Sequence, residues 1–415
     1  MSQKRFFDQK IYSVVLLREG RELGNIARLC RELSWSVNRN PKIGFNKINF
    51  KIDREAFKQW CKDNDCDYQE VTTPTYTDCI IRIQNNSHHA PQDVVCGYLY
   101  DFPTLTANGD AYDYCFEFID LAHKLTLFPP IPNGTHFQDV PVGDVINNLI
   151  QTSVDSITKY HKVPARCYDF FPIVFPNLDT KISRTYNDWK PVGEAISDML
   201  DNDTGAGRFD FWMDYPFHAH ISRFRGIDLR LEKNDPQLER DKLRIPETHL
   251  RYPAIGDDFE TNWVIPLIEA PEYNQRAGVI TAVYAVGSGD GDDAIKTCKE
   301  DEDAITKYGY CCSHEQYSSV VKMKTLERKA QAVIDNSIND VTVASVALNG
   351  VFIDWAYIEV GGVVTVDDVE AGIHTLGRID TIEVNCDGNF NESVKLTLSK
   401  FDPKGCDVEF YSNAG

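Results

Sequence analysis

Lys47-Ile48-Asn49-Phe50-Lys51-Ile52 sets the fold class: its apolar residues alternate with polar ones, the period of a half-buried β-strand. Apolar runs rich in β-branched side chains at residues 11–17 and 79–84 read the same way, as does Tyr112 to Ile119. Between them Glu55 to Asp63 fits a turn or two of helix, closed by Asn64-Asp65. Near the other end, Val394, Leu396 and Leu398 alternate with Lys395, Thr397 and Ser399. Gly361-Gly362 and Asp387-Gly388-Asn389 are turns, the second suited to a hairpin.

The middle has a different texture. Phe128-Pro129-Pro130-Ile131-Pro132-Asn133-Gly134 breaks the strand pattern, and a domain boundary is expected there. Pro141-Val142-Gly143-Asp144-Val145-Ile146 then begins a helix, and Pro191-Val192-Gly193-Glu194-Ala195-Ile196 repeats its chemistry, each with an acid in the first turn. Two independent helix starts or one duplicated device both account for this. Residues 208–225 return to strand, 232–257 with three prolines read as an extended connection, and 279–286 as another strand. Met323, Leu326, Ala330, Val333 and Ile334 mark an amphipathic helix. The order is β, then mixed, then β, without regular βαβ alternation, so a parallel-sheet enzyme fold is disfavoured. The expected class is a β-rich α+β multidomain fold divided at 1–128, 129–235, 236–345 and 346–415.

Composition narrows the function. Hydrophobic residues are 42% and aromatics 11% of 415, enough for folded cores. Lys and Arg number 43 against 63 Asp and Glu, a net charge of -20, so stable binding to nucleic acid or anionic membrane is not expected. Such a surface would let DNA pass without sticking. The Val14-Val15-Leu16-Leu17 run is too short for a signal peptide, and no apolar stretch reaches membrane-spanning length, so a soluble protein made in a cytosol is expected. The sequons at Asn85, Asn133, Asn202 and Asn391 then carry no glycan.

Candidate sites are few. None of the twelve cysteines forms a C-x-x-C pair; Cys311, Cys312 and His314 are the best metal candidates, against a plainer reading as small buried hydrophobes. His218 and His220 fall on one face of a strand opposite Phe217, Ala219 and Ile221, either as half of a metal site or as solvent-facing histidines. Gly287 to Asp293 lacks the Lys-Ser/Thr of a phosphate loop and the closing Glu of a calcium hand, so a turn is expected, with weak calcium binding as the alternative. His88-His89 and His123 have no evident partners. No nucleophile elbow or metalloprotease motif is present, and no catalytic residue, metal or cofactor is assigned.

Three stretches carry a resemblance. They are Lys190 to Ile196 through Gly205-Ala206-Gly207-Arg208-Phe209-Asp210-Phe211; Ala285-Val286-Gly287-Ser288-Gly289 with Ile305 to Tyr310 and the helix Leu326 to Ile334; and Val363 to Val366 through Gly377 to Val384, closed by Val394 to Leu398. In order and spacing the chain resembles the baseplate-hub or minor tail proteins of tailed bacteriophages, of the siphovirus type. That resemblance implies two β-barrel-like hub domains with smaller mixed α/β insertions. It implies a homotrimer making a pseudo-sixfold ring at the tail tip, in contact with the tail tube, distal tail protein, tape-measure protein and receptor-binding proteins. It implies a structural virion protein with no active site to carry over. The alternatives are a tail-associated cell-wall hydrolase and a carbohydrate-binding receptor module; Trp60, Trp189, Trp212, Trp263 and Trp355 are dispersed in sequence, which does not favour the latter.

Overall fold

The computed structural model describes residues 10–84, 90–161, 181–186, 189–200, 210–215, 218–222, 242–246, 248–253, 264–273, 279–289, 291–318, 320–337, 343–353, 355, 358–401 and 407–411. The N-terminal strands are Ile11–Arg18 (β1), Arg21–Asn25 (β2), Cys30–Asn38 (β3), Lys47–Asp53 (β4), Thr77–Gln84 (β5), Gln92–Leu99 (β6), Thr104–Asn108 (β7) and Ala111–Ile119 (β8). β4 buries Ile48, Phe50 and Ile52, and Phe50 stacks on Phe116 and Phe118 of β8 at 4.9 and 5.5 Å. Helix Arg54–Asp63 (α1) starts where it does because Asp53 accepts from the N–H groups of Glu55 and Ala56. Its Phe57 packs edge-on against Phe116 at 5.1 Å. A second short helix, Tyr68–Val71 (α2), leads into β5.

The middle segment holds Lys124–Leu127 (α3), Thr135–Pro141 (β9), Val142–His161 (α4), Lys181–Tyr186 (β10), Val192–Met199 (α5), Asp210–Asp214 (β11) and His218–Ser222 (β12), with β9–β10 and β11–β12 antiparallel. The two similar helix starts are α4 and α5. Their packing differs: a Cβ on Gly193 would meet Thr126 Cγ2 at 3.1 Å, whereas nothing lies within 4 Å of one on Gly143. One apolar core takes in Val15, Tyr98 and Ile119, then Phe128 and Ile131, then Val145, Leu149, Ile196 and Phe211. It therefore runs across the proline-rich break.

Residues 232–257 were expected to be a connection, but two strands lie there, Lys242–Pro246 (β13) and His249–Tyr252 (β14), and β14 pairs in parallel with Val264–Pro266 (β15). Both escape a local reading because their other partners are remote. β13 pairs in parallel with Asp407–Tyr411 (β24) and β14 with Val363–Asp368 (β21).

Contacts divide the chain into two units, residues 1–271 with 345–415, and residues 272–344. The smaller unit begins at Glu272–Tyr273 (β16) and has a three-stranded sheet of Ala282–Val286 (β17), Lys296–Glu300 (β18) and Cys312–Gln316 (β19), with helices Glu302–Tyr308 (α6) and Met323–Ser337 (α7). Leu326, Ala330 and Ile334 of α7 form a core with Val283 and Ala285 of β17.

Past it come Val343–Asn349 (β20), β21, Ile373–Cys386 (β22) and Glu392–Lys400 (β23). β22 organises the larger unit. β23 pairs along one of its edges, while β21 and β3 share the other, β21 at residues 373–378 and β3 at 381–386. The N- and C-terminal strands thus form one sheet in the order β15-β14-β21-β22-β3-β4-β8-β6-β5-β1-β2, with β7 on β8 and β20 on β23. The β-rich class expected from sequence is what is found, with mixed sheets and few helices. A closed barrel is not found: among the described residues no pairing joins the ends of this path, and the long β22 passes the sheet from one half to the other. No helix among the described residues is long and apolar enough to cross a membrane.

Candidate functional site

The joint between the two halves of the sheet is built from buried charge. Arg39 follows the end of β3, Asp380 sits where β22 shifts register against β23, Arg378 lies two residues before it, and Asp210 opens β11. Asp210 accepts from Arg39 Nη1 at 2.6 Å through one oxygen and from Arg378 Nη2 through the other, and Asp380 accepts from Arg39 Nε at 2.7 Å. Arg378 Nε also donates to the Gly361 carbonyl at 3.2 Å. Asp210 is 0% exposed and each arginine 7%. Burial works against both guanidiniums. Arg39, with two carboxylates, is nevertheless held above its ordinary pKa, whereas Arg378, with Arg39's like charge beside it, is held below. The cluster ties β3, β11 and β22 at one point, and Arg39 N–H donates to the Asp380 carbonyl at 2.9 Å, extending the β3–β22 contact.

A second joint sits at the first described residues. Glu392 accepts from Lys10 Nζ, from the Tyr12 hydroxyl and, at 3.0 Å, from Trp355 Nε1. Tyr12 stacks on Phe390 at 4.8 Å and tilts against Trp35, which meets Trp355 at 6.1 Å. Burial and the neighbouring Glu392 push the Tyr12 hydroxyl above its ordinary pKa. Trp35 and Trp355 are 2% and 4% exposed. They are core residues, and this indole pair is one that sequence reading missed, because sequence separation hides it.

These joints hold a polar face made by both halves. Cross-strand register aligns Asn385, Ser34, Asn49 and Glu117 in one row over β22, β3, β4 and β8. Lys51 pairs with Glu32 at 2.6 Å and Lys47 with Glu117 at 3.4 Å. A groove of about 430 Å³ lies over this face, with Asp101 and Phe102 at its margin. Lys51 and Lys47 answer Glu32 and Glu117 while Asp101 adds a further acid, so the groove presents hydrogen bonds with a slight excess of negative charge.

The residues singled out in the sequence are not gathered into a site. Cys312 and His314 stand on one exposed face of β19, and Cys298 and Cys311 are exposed as well, so these thiols are not the buried hydrophobes expected. β18 and β19 are the edge strands of the small sheet, and these thiols are not in the core that α7 makes with β17. The expectation holds for Cys30, Cys61, Cys79, Cys96 and Cys386, which are buried. His218 and His220 lie on β12, but His220 does not face solvent freely. Its ring stacks flat on Trp212 at 5.0 Å, and Nε2 lies 3.0 Å from Asp214. Cross-strand pairing of Trp212 with His220 brings them together. Among the described residues no three His, Cys, Asp or Glu side chains are grouped to hold a metal. Gly287 to Gly289 and Gly291 to Asp293 lie between β17 and β18, Gly291–Asp293 forming a short 3-10 turn, and Gly287 N–H donates to the Ile295 carbonyl at 2.8 Å. Phe217, His88, His89, Cys167 and Trp263 lie outside the described residues.

No family model and no curated protein matches the chain. Solved structures do match, and the chain shares its fold with tail proteins. The tail protein from Neisseria meningitidis MC58 aligns over 96% of this chain and 99% of its own, with a TM-score of 0.60 at 13% identity. The 43 kDa tail protein of prophage MuSo2 from Shewanella oneidensis aligns over 95% and 100%, at 0.59 and 11%. A chain of the Francisella PdpA–VgrG complex aligns over 98% of this chain and 55% of its own, at 0.56 and 11%. At such identities the likeness is one of fold, and at that level the resemblance read from the sequence holds.

Proposed function

We propose that this chain is a structural virion protein, the hub at the tip of a bacteriophage tail. The observation that carries the reading is the end-to-end match with two tail proteins, which leaves little of either chain unaligned. In this reading the protein is made in the host bacterial cytoplasm and assembles as a homotrimer. The ring links tail tube and distal tail protein to the tip and receptor-binding proteins and gates the passage of DNA and tape-measure protein. The two halves of the large sheet, zipped at β3 and β22, are the two barrel-like hub domains. The division at 128, 235 and 345 marks the inserted segments. The protein acts by shape and contact rather than by catalysis, and buried charges spent on joints rather than displayed in a cleft support that.

The test is the mass of the purified protein by light scattering, with negative-stain imaging and a binding assay against the distal tail protein. A ring-shaped trimer that binds is the expected result. A monomer that also fails to bind, combined with lysis of purified cell wall in a zymogram or binding on a glycan array, would replace the hub reading with a hydrolase or carbohydrate-binding one.

A further inference from the structure

The β7–β8 hairpin has an unprotected edge. β7 pairs only with β8 among the described residues, and all five of its residues are exposed. Its turn residue Gly109 has a φ of +60° and nothing within 4 Å of a Cβ placed on it, so the tip stands clear. Proteins usually guard such an edge with lysine, proline or a bulge. Thr104-Leu105-Thr106-Ala107-Asn108 has none of these. Four large apolar side chains are exposed on or beside this hairpin: Tyr100 at 48%, Phe102 at 64%, Leu105 at 50% and Tyr112 at 50%. Between Arg82 and Lys124 the sequence has no Lys or Arg, and Asp101 and Asp110 are exposed at the two ends of β7.

An extended segment that adds to this edge should therefore carry cations and apolar side chains. Residues 1–9, Met-Ser-Gln-Lys-Arg-Phe-Phe-Asp-Gln, have that composition: Lys4 and Arg5 supply adjacent cations that can meet the acid at one end of β7, Asp101 or Asp110, and Phe6 and Phe7 supply apolar side chains for the exposed cluster. A chain's own residues 1–9 fall short of its own β7. Ile11 pairs with Gln84 and Ile83 with Gln92, so residue 10 lies at the Gln92 end of β6. β7 starts beyond the opposite end, more than ~20 Å away along the strands. Laying five of nine residues along β7 leaves four to cross that distance, a reach of roughly 13 Å.

We propose that the N-terminal residues of one copy add as a strand to the β7 edge of a second copy, linking subunits by arm exchange. The inference rests on the reading of the chain as a self-assembling hub. It is tested by sedimentation velocity across a concentration series and by anisotropy of a fluorescein-labelled peptide of residues 1–9 added to chain lacking residues 2–9. Truncation should weaken self-association at least about tenfold, the strand's main-chain bonds being lost. K4E/R5E should weaken it roughly three- to tenfold, one exposed ion pair being lost and a like-charge contact put in its place, and D101K/D110K in the same chain should restore it. The peptide should bind the truncated chain and lose binding on D101K/D110K. Truncation without effect on self-association, or a peptide that does not bind, overturns arm exchange while leaving a trimeric hub intact. If the full chain is a monomer, the hub reading loses its ring and the peptide titration alone decides: binding that D101K/D110K abolishes supports the β7 edge as the arm's site, and no binding overturns it.

Discussion

Removing the charge of Asp210 is the sharpest test of how the two halves of the sheet are held. Asp210→Asn keeps the side-chain volume but leaves two buried guanidiniums without the carboxylate they share. Arg39 retains Asp380, whereas Arg378 retains only the Gly361 carbonyl among the bonds described above. Breaking a buried pair while its partner charge stays behind costs about 3–5 kcal/mol. For a cooperative unit of roughly 340 residues, at about 2.1 cal/mol/K of unfolding entropy per residue, 1 kcal/mol moves Tm by about 1.4 °C. The expected fall is therefore about 4–7 °C, read by differential scanning calorimetry at neutral pH. Asp380→Asn should cost less, about 1–2 kcal/mol, because Arg39 keeps Asp210 and the Asp380 side chain is 16% exposed and can be reached by water. A fourfold replacement, Met, Leu and Met at Arg39, Asp210 and Arg378 with Asn at Asp380, should recover much of the loss, since it leaves none of the four charges behind. An Asp210→Asn chain that melts within 1 °C of the parent, or one more stable than Asp380→Asn, would show that the cluster does not hold the joint.

Three further outcomes follow from the same structure. His123 Nδ1 lies 2.8 Å from the Tyr98 hydroxyl and burial holds the His123 pKa below its ordinary value. The unfolded chain therefore takes up a proton before the folded one, so stability is complete above about pH 6.5 and falls as pH drops from there through the lowered folded value. His123→Gln should flatten the dependence of Tm on pH in that window, and an unaltered slope would refute the assignment. Brief iodoacetamide treatment of native protein, followed by peptide mapping, should label Cys298, Cys311 and Cys312. It should spare Cys79, Cys96 and Cys30, the last pushed up to about 12 by burial; equal labelling of both groups would contradict the burial described. A Cβ on Gly97 would lie 2.8 Å from the Ile119 carbonyl oxygen, so Gly97→Ala should cost about 1–3 kcal/mol in urea unfolding, and a neutral result would mean that β6 and β8 can separate there freely.

How much of this was legible in sequence depends on the range of the interaction. The strand at residues 47–52, the helix capped by Asp53 and the hairpin turn at Asp387 are local. Alternation, a capping carboxylate and a Gly-containing turn each state their structure within a few residues. β13 and β14 read as a connection because β24, which pairs with β13, and β21, which pairs with β14, lie more than a hundred residues downstream, and five- and four-residue strands carry too little pattern alone. The buried charge joints were illegible for the same reason. Nothing near Asp210 in sequence marks it as the partner of Arg39 and Arg378. The histidine pair was placed on the right strand, yet the flat stack on Trp212 needed the β11 register to be seen.

The distribution of buried charge bears on function. Arg39 and Arg378 meet Asp210, Lys10 meets Glu392, and Lys124 meets Asp78 at 3.6 Å. Each pair joins segments separated by tens to hundreds of residues. Apolar residues of similar volume could stabilise such contacts as well or better, so stability alone does not account for charge there. Charge does impose geometry, because a strand slipped by one residue would strand an ion in the core, whereas an apolar contact tolerates the slip. The largest such cluster stands where β22 hands the sheet from its C-terminal to its N-terminal strands. A lone enzyme domain needs that rigidity around a cleft. Here it is spent on the register between two halves of a sheet, where an error would propagate into whatever the polar face and the β7 edge must meet. That placement suits a part whose work is to fit other parts.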